Sequence, residues 1–259
     1  MTLKWDASEY EAVSVPHVGW GTRLLERVTL RGDEAAIDAG CGTGRVTDLL
    51  LERLPAGSVL ALDTSETMVE AVRRRFEGEG RVRVEHQDLL RLEVAEPVDL
   101  IFSTATFHWI PDHESLFRRL AGALKPGGRI VAQCGGAGNI DRTQAVAERV
   151  MGEGRFRKYF EDWKNPWNFA DAEVTKARLE AAGFEAMEVW LHEDIADFGS
   201  VRELTRFLKT IVLVQHVEKL PEFEKEPFAA AVAALLETEG SLGIDFVRLN
   251  ILATRGGEQ

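Results

Sequence analysis

The residues best suited to chemistry stand in one run, Ile37-Asp38-Ala39-Gly40-Cys41-Gly42-Thr43-Gly44-Arg45. An apolar segment passes into three alternating glycines that open a helical pattern. Glycine is needed where a backbone turns tightly and a ligand must approach it closely. Two more acids end later apolar runs: Asp63, after Val59-Leu60-Ala61-Leu62, and Asp88, in His86-Gln87-Asp88-Leu89. One such acid alone reads as a strand-end cap. Three of them, ending three successive strands beside a glycine turn, read as a ligand site.

Two cofactor classes use a strand, a glycine turn and a helix in this way: dinucleotides and S-adenosylmethionine. The dinucleotide turn has the spacing G-x-G-x-x-G and seats pyrophosphate on the helix N-terminus. Here the spacing is G-x-G-x-G, and Arg45 holds the third-glycine position. Asp38, two residues before Gly40, would repel a pyrophosphate. It suits a cofactor with a positive end, such as the amine and sulfonium of S-adenosylmethionine. Asp63 can accept hydrogen bonds from both ribose hydroxyls, which either cofactor offers. Asp88 can accept from an adenine amino group, with Leu89 and Met68 against the ring.

These residues need a scaffold, and the flanking pattern supplies one. Runs rich in Val, Ile and Leu at 35–38, 59–63, 82–86, 98–104 and 129–134 read as buried strands. Helical patterns at 44–54, 65–77 and 113–124 lie between them, with Ser65 placed to cap the second. Pro126-Gly127-Gly128 is a turn into a strand. This alternation predicts a doubly wound α/β sheet, mostly parallel, with ligands beyond the strands' carboxyl ends. Further on, 140–151 and 171–182 read as helices and 184–192 as a strand. Residues 194–240 read as helices broken at Pro221 and Pro227, and 243–254 as a strand. The 194–240 stretch and the aromatic, basic segment 155–169 predict a helical cap over the active edge.

Composition bounds the alternatives. The 259 residues carry 31 Lys and Arg against 43 Asp and Glu, a net charge of −12 spread over both halves. A nucleic-acid or anionic-membrane surface would need a basic patch. The longest apolar stretch, 228–236, is too short to cross a bilayer. Two cysteines, Cys41 and Cys134, make neither a disulfide framework nor a zinc site, and no His, Cys or Asp spacing predicts a metal. With no apolar leader in the first ten residues, the expectation is a cytoplasmic protein.

The ordered set Asp38-Ala39-Gly40-Cys41-Gly42-Thr43-Gly44, Leu62-Asp63-Thr64-Ser65 with Met68, Gln87-Asp88-Leu89, Asp99-Leu100-Ile101-Phe102-Ser103 and Leu124-Lys125-Pro126-Gly127-Gly128 resembles the class I S-adenosylmethionine-dependent methyltransferases. Phe107-His108-Trp109-Ile110-Pro111-Asp112-His113, Asn165-Pro166-Trp167-Asn168-Phe169 and Phe207-Leu208-Lys209-Thr210 are similar to the trans-aconitate methyltransferase-like small-molecule group. The resemblance implies one domain over 1–259, with a Rossmann-like seven-stranded sheet whose last strand is antiparallel. It implies a cofactor core at 35–134 and an N-terminal helical segment, 1–30, that brings Tyr10 and Trp20 over the cofactor. Asp38, Gly40 and Gly42 would then serve the methionine end, Asp63 the ribose, and Met68, Asp88 and Leu89 the adenine, with Thr64 also binding the cofactor. Thr104 would border the sulfonium. The product would be S-adenosylhomocysteine and the acceptor a small carboxylate or hydroxyl compound. Relatives in that group carry an arginine, suited to a carboxylate, where this chain reads Val15-Pro16-His17; His108 stands where glutamine is frequent.

Methyl transfer from a sulfonium leaves the protein to align donor and acceptor and, for an alcohol or amine, to take a proton. His108, after the fourth strand, is the candidate base, or else a hydrogen-bonded wall residue. His113, His192 and His216 read as structural, and Arg157 and Lys158 as solvated charges. Phe156, Tyr159, Phe160, Trp163 and Trp167 either line an acceptor pocket or pack the cap. Trp109 reads as a core anchor. Competing readings are an NAD(P)-dependent oxidoreductase, a non-catalytic cofactor-binding or scaffold protein, and a nucleic-acid methyltransferase. The last lacks its usual Asn/Asp-Pro-Pro-aromatic motif after the fourth strand, which would help hold a flipped base.

Overall fold

The computed structural model describes residue 5, residues 7–13 and residues 15–257. Residues 1–4, 6 and 14 of the expected N-terminal segment lie outside the described residues. Two helices open the chain, α1 (Ala7–Val13) and α2 (Val15–Leu25). The core then alternates β1 (Ala35–Ala39), α3 (Arg45–Arg53), β2 (Ser58–Asp63), α4 (Glu66–Arg75), β3 (Val82–His86), β4 (Val98–Thr104), α5 (His113–Ala123) and β5 (Leu124–Gly135). Next come α6 (Asp141–Met151), α7 (Ala172–Ala181), β6 (Phe184–Asp197), α8 (Val201–Phe207), α9 (Val214–Glu218), α10 (Glu222–Thr238) and β7 (Gly243–Arg255).

The seven strands form one sheet in the order β3-β2-β1-β4-β5-β7-β6. β1 to β5 pair in parallel, and β7 runs antiparallel between β5 and β6. The chain leaves β1 toward β2 on one side and returns to β4 on the other. That reversal makes the carboxyl ends of β1 and β4 the place where a crevice opens.

Apolar side chains cover both sheet faces. Leu116, Phe117 and Leu120 of α5 and Leu179 of α7 pack on one side against Ile37, Ile101 and Ile130. Leu24 and Leu25 of α2 and Val46 and Leu50 of α3 pack on the other against Val59, Leu100 and Phe102. A third core joins Val146 and Val150 of α6, Phe207 of α8 and Phe228 and Val232 of α10 to Trp20, Ile244 and Phe246. Local sequence sets the helix starts: the Ser65 hydroxyl accepts from the Met68 amide, and the Asp112 carboxylate from the Ser115 amide at 2.9 Å.

Two elements differ from the sequence reading. β6 continues five residues past 192, because β7 keeps pairing with it out to Asp197 and Gly243. Backbone pairing sustains this ribbon, and its acid-rich end hides it from an apolar-pattern reading. α10 also runs straight through Pro227. The proline removes one intrahelical donor, while buried Phe228, Val232, Ala233 and Leu236 hold the helix to the cap core.

Candidate active site

A cavity of about 500 Å³ opens at the carboxyl ends of β1, β2 and β4. Tyr10, Trp20, Gly40, Gly42, Asp63, Thr64, Met68, Asp88, Leu89, Thr104 and His108 all line it. Asp38 does not. It is 1% exposed and lies behind the wall, where its carboxylate accepts the Thr47 hydroxyl at 2.6 Å. Burial pushes its carboxyl up to about 7, with the Asp63 charge adding to the rise. Asp38 thus stands one layer behind the cavity wall, bonded to the first turn of α3.

The turn itself is held from below. Gly40 has φ +85°, and a Cβ built on it would lie 2.1 Å from Oγ1 of Thr106. Gly42, φ +54°, has Tyr10 as its nearest side chain at 3.8 Å, so its bare face opens to the cavity. Asp63 accepts the Gly42 amide at 3.0 Å and the Ser65 amide at 2.8 Å. One carboxylate thus ties the end of β2 both to the glycine turn and to the start of α4. Burial raises its carboxyl above the usual range, against those N–H donors. Asp88 caps the turn after β3 by accepting the Leu90 amide at 2.9 Å. Beside it, Oε1 of Gln87 is buried in the wall with no hydrogen-bond partner.

α1 lies over this half of the cavity. Glu11 pairs with Arg45 at 2.9 Å and Arg75 at 3.2 Å and accepts the Thr43 hydroxyl, which pulls its carboxyl below the usual range despite partial burial. The Arg45 side chain, standing where a dinucleotide turn has glycine, is thereby turned toward the N-terminal helix. Tyr10 on the same helix has its phenol pushed well up, by burial first and then by the Asp63 charge. It stays protonated.

The other half of the cavity is aromatic and holds residues the sequence reading missed. Trp109, read as a core anchor, lines the wall instead; its ring meets Trp167 at 6.0 Å and His108 at 5.1 Å, and Phe107 takes the buried place. Of the 155–169 aromatics, Trp167 and Phe169 reach the cavity, while Phe156 and Phe160 pack inside the cap. Ala105 and Ile140, both non-glycine residues with φ +55°, also line the wall. Such backbone outliers cluster at functional sites. Arg248 of β7 also lines the wall, 2% exposed, with Nε and Nη2 both buried and without partners. Its guanidinium lies over the Trp20 ring, 4.1 Å from the centroid. Burial lowers it to about 10, so it remains charged at neutral pH. No motif marks Arg248 in the sequence; it arrives by the pairing of Gly135 with Arg248 across β5 and β7.

A methyltransferase-domain family model matches residues 36–128. Trans-aconitate 2-methyltransferase of Methylobacterium nodulans is 30% identical over 97% of this chain and 98% of its own. That of an Acidovorax species is 36% identical over 97% and 98%. This chain belongs to the class I S-adenosylmethionine-dependent methyltransferases, in the trans-aconitate methyltransferase-like group. Among solved structures, a Haemonchus contortus phosphoethanolamine N-methyltransferase shares the fold, with TM-score 0.64, 18% identity and coverage of 97% of this chain and 57% of that one.

The methyltransferase's own residues fit its cofactor. Gly40 and Gly42 line the cavity, Gly42 with its bare face open to it, and the unpartnered Gln87 Oε1 suits an amino donor at the adenine end. When bound, S-adenosylmethionine supplies a methyl group already activated on a sulfonium. Membership in this family removes the oxidoreductase and scaffold readings.

His108, the candidate base, lines the cavity beside Trp109. The ring is buried, and its Nδ1 accepts the Gly135 amide at 3.2 Å. A backbone amide can only donate, so the neutral ring carries its proton on Nε2. His113 donates to the Phe107 carbonyl at 2.9 Å and has burial holding its pKa down. His216 packs 4.1 Å from the Trp163 ring in the cap, with burial lowering it to about 3. His192 is exposed on β6. Burial pushes the Cys134 thiol up to about 12 and the Cys41 thiol well above its usual value, so neither is a nucleophile. Among the described residues, no cluster of His, Cys, Asp or Glu is placed to hold a metal, and no helix is long and apolar enough to cross a membrane.

Proposed function

We propose that this methyltransferase transfers the methyl group of S-adenosylmethionine to a carboxylate oxygen of a small organic acid. The observation that carries the reading is Arg248, a buried cation with two unpartnered donors in the cavity wall. A buried unpaired guanidinium is costly, and a carboxylate matches its fork. Relatives named trans-aconitate 2-methyltransferases support an acid acceptor and make trans-aconitate the first compound to try.

The cofactor half of the cavity follows from the same reading. Gly40 and Gly42 give the methionine end room, and Asp63 with Thr64 takes the ribose. Met68, Asp88, Leu89 and Gln87 hold the adenine, and Thr104 borders the reacting centre. Tyr10 donates from above. A carboxylate acceptor is already an anion, so the O–CH3 bond forms as the S–CH3 bond breaks, the bonding pair stays on sulfur, and no proton needs removal. His108 then serves as a donor that orients the acceptor.

Steady-state kinetics of Arg248→Met test this reading. Loss of charged hydrogen bonds of ~1.5–3 kcal/mol raises KM for trans-aconitate roughly 10- to 100-fold, while the Kd for S-adenosylhomocysteine stays unchanged. An unchanged KM overturns the reading. A weakened cofactor Kd with unchanged KM would assign the guanidinium to the methionine carboxylate instead.

A further inference from the structure

Arg248 has an obvious partner that it does not use. β7 pairs with β6 so that Arg248 faces His192 and Phe246 faces Asp194. Directly paired residues point to the same face, which makes Arg248 and Asp194 diagonal neighbours within reach of long side chains. An arginine and an aspartate so placed ordinarily form an ion pair. Instead, Oδ2 of Asp194 accepts the Trp20 indole N–H at 2.5 Å and Nη2 of Arg23 at 2.8 Å. The Arg248 guanidinium lies on the Trp20 ring face.

The arrangement solves a conflict. A cation this deeply buried needs compensating charge, and Asp194 is the carboxylate whose field favours the charged guanidinium. A direct bidentate pair would occupy the same N–H groups an anionic ligand needs. The indole stands in contact with both: it engages the aspartate through its N–H edge and the arginine through its π face, where a cation is attracted. Phe246 meets the ring edge-on at 5.1 Å and holds it in place.

We propose that Trp20 is a positioning spacer that keeps Asp194 near Arg248 without letting the two pair, so that the guanidinium's donors stay available to the acceptor's carboxylate. The proposal rests on the reading of the acceptor as an anion. It moves Trp20 from the cofactor, where the family resemblance sets it, to the acceptor half.

The test is a rescue experiment in the full-length enzyme, with trans-aconitate as acceptor. Trp20→Ala lets Asp194 capture Arg248. KM for trans-aconitate then rises at least about tenfold, the size of one lost charged hydrogen bond, with the Kd for S-adenosylhomocysteine unchanged. Adding Asp194→Asn removes the competitor and returns KM to near the wild-type value, a coupling that independent structural damage would not show. Trp20→Leu, alone and with Asp194→Asn, gives the same comparison if the alanine variant does not fold. Absence of rescue in both pairs overturns the proposal. Arg248→Met separates the two readings: if it raises KM while rescue fails, the spacer alone falls; if it leaves KM unchanged, the anionic-acceptor reading falls and the spacer with it.

Discussion

The backbone amide of Gly135 donates to Nδ1 of His108 at 3.2 Å, and this contact sets which ring nitrogen bears the proton. The same Gly135 pairs with Arg248 across the β5–β7 ladder. The ring that follows β4 and the guanidinium of β7 are thereby brought to one cavity wall. A general base contributes typically ~10²–10⁴-fold to a rate. His108→Asn should therefore lower kcat by less than about tenfold and leave the shape of the pH–kcat profile intact, read over pH 5.5 to 9. A loss of a hundredfold or more, with disappearance of an ionisation near neutrality, would restore the base role.

Asp63 holds the Gly42 amide and opens α4. Its replacement by alanine should weaken S-adenosylmethionine binding by ~1–3 kcal/mol, the range for hydrogen bonds to a charged group. Calorimetric titration measures this directly. Unchanged affinity would remove Asp63 from the ribose.

Gly40→Ala should be more damaging than its size suggests. The added Cβ meets Thr106 at 2.1 Å on a backbone with φ +85°. Clash and strained φ together should lower the melting temperature and abolish cofactor binding, whereas Gly127→Ala, with φ +76° but nothing within 4 Å, carries the strain alone. Equal melting shifts for the two would refute the Thr106 contact.

Asp38 makes stability depend on pH in an unusual direction for a carboxylate. Its folded-state pKa is pushed up to about 7, against roughly 3.9 in an unfolded chain. Between those values the folded protein holds a proton that the unfolded chain has lost. Raising pH through that window removes stability, at no more than about 1.4 kcal/mol per unit. Asp63, also raised by burial, acts in the same direction. Subtracting the Asp38→Asn melting curve from that of the cofactor-free wild type isolates Asp38: the difference should fall from pH 4.5 to 7 and level off above. A difference independent of pH would mean Asp38 is ionised throughout.

The part of the cavity wall around the glycine turn was legible in the sequence because it is local. Each strand hands its terminal residues to the turn that follows, so Gly40, Asp63 and Asp88 could be placed from strand order alone. The acceptor half depends on pairings between distant segments. Arg248 reaches the cavity only through the antiparallel insertion of β7 beside β5, and Trp20 meets it from the other end of the chain. Asp38 sits behind the wall because a strand's last residues alternate between faces and Thr47, in the first turn of α3, claims its carboxylate. No arginine stands at 15–17, where relatives in this group carry one, and the buried arginine of the cavity wall comes from β7 instead.

The most direct measurement is the chemical identity of the methylated product. The enzyme is incubated with methyl-labelled S-adenosylmethionine and trans-aconitate, and the labelled product is treated with mild alkali. A carboxylate methyl ester releases its label as methanol, and that is the result the account predicts. Label that survives alkali, as an ether or N-methyl group would, contradicts transfer to a carboxylate, and so does a turnover that neutral amide analogues support as well as the acid.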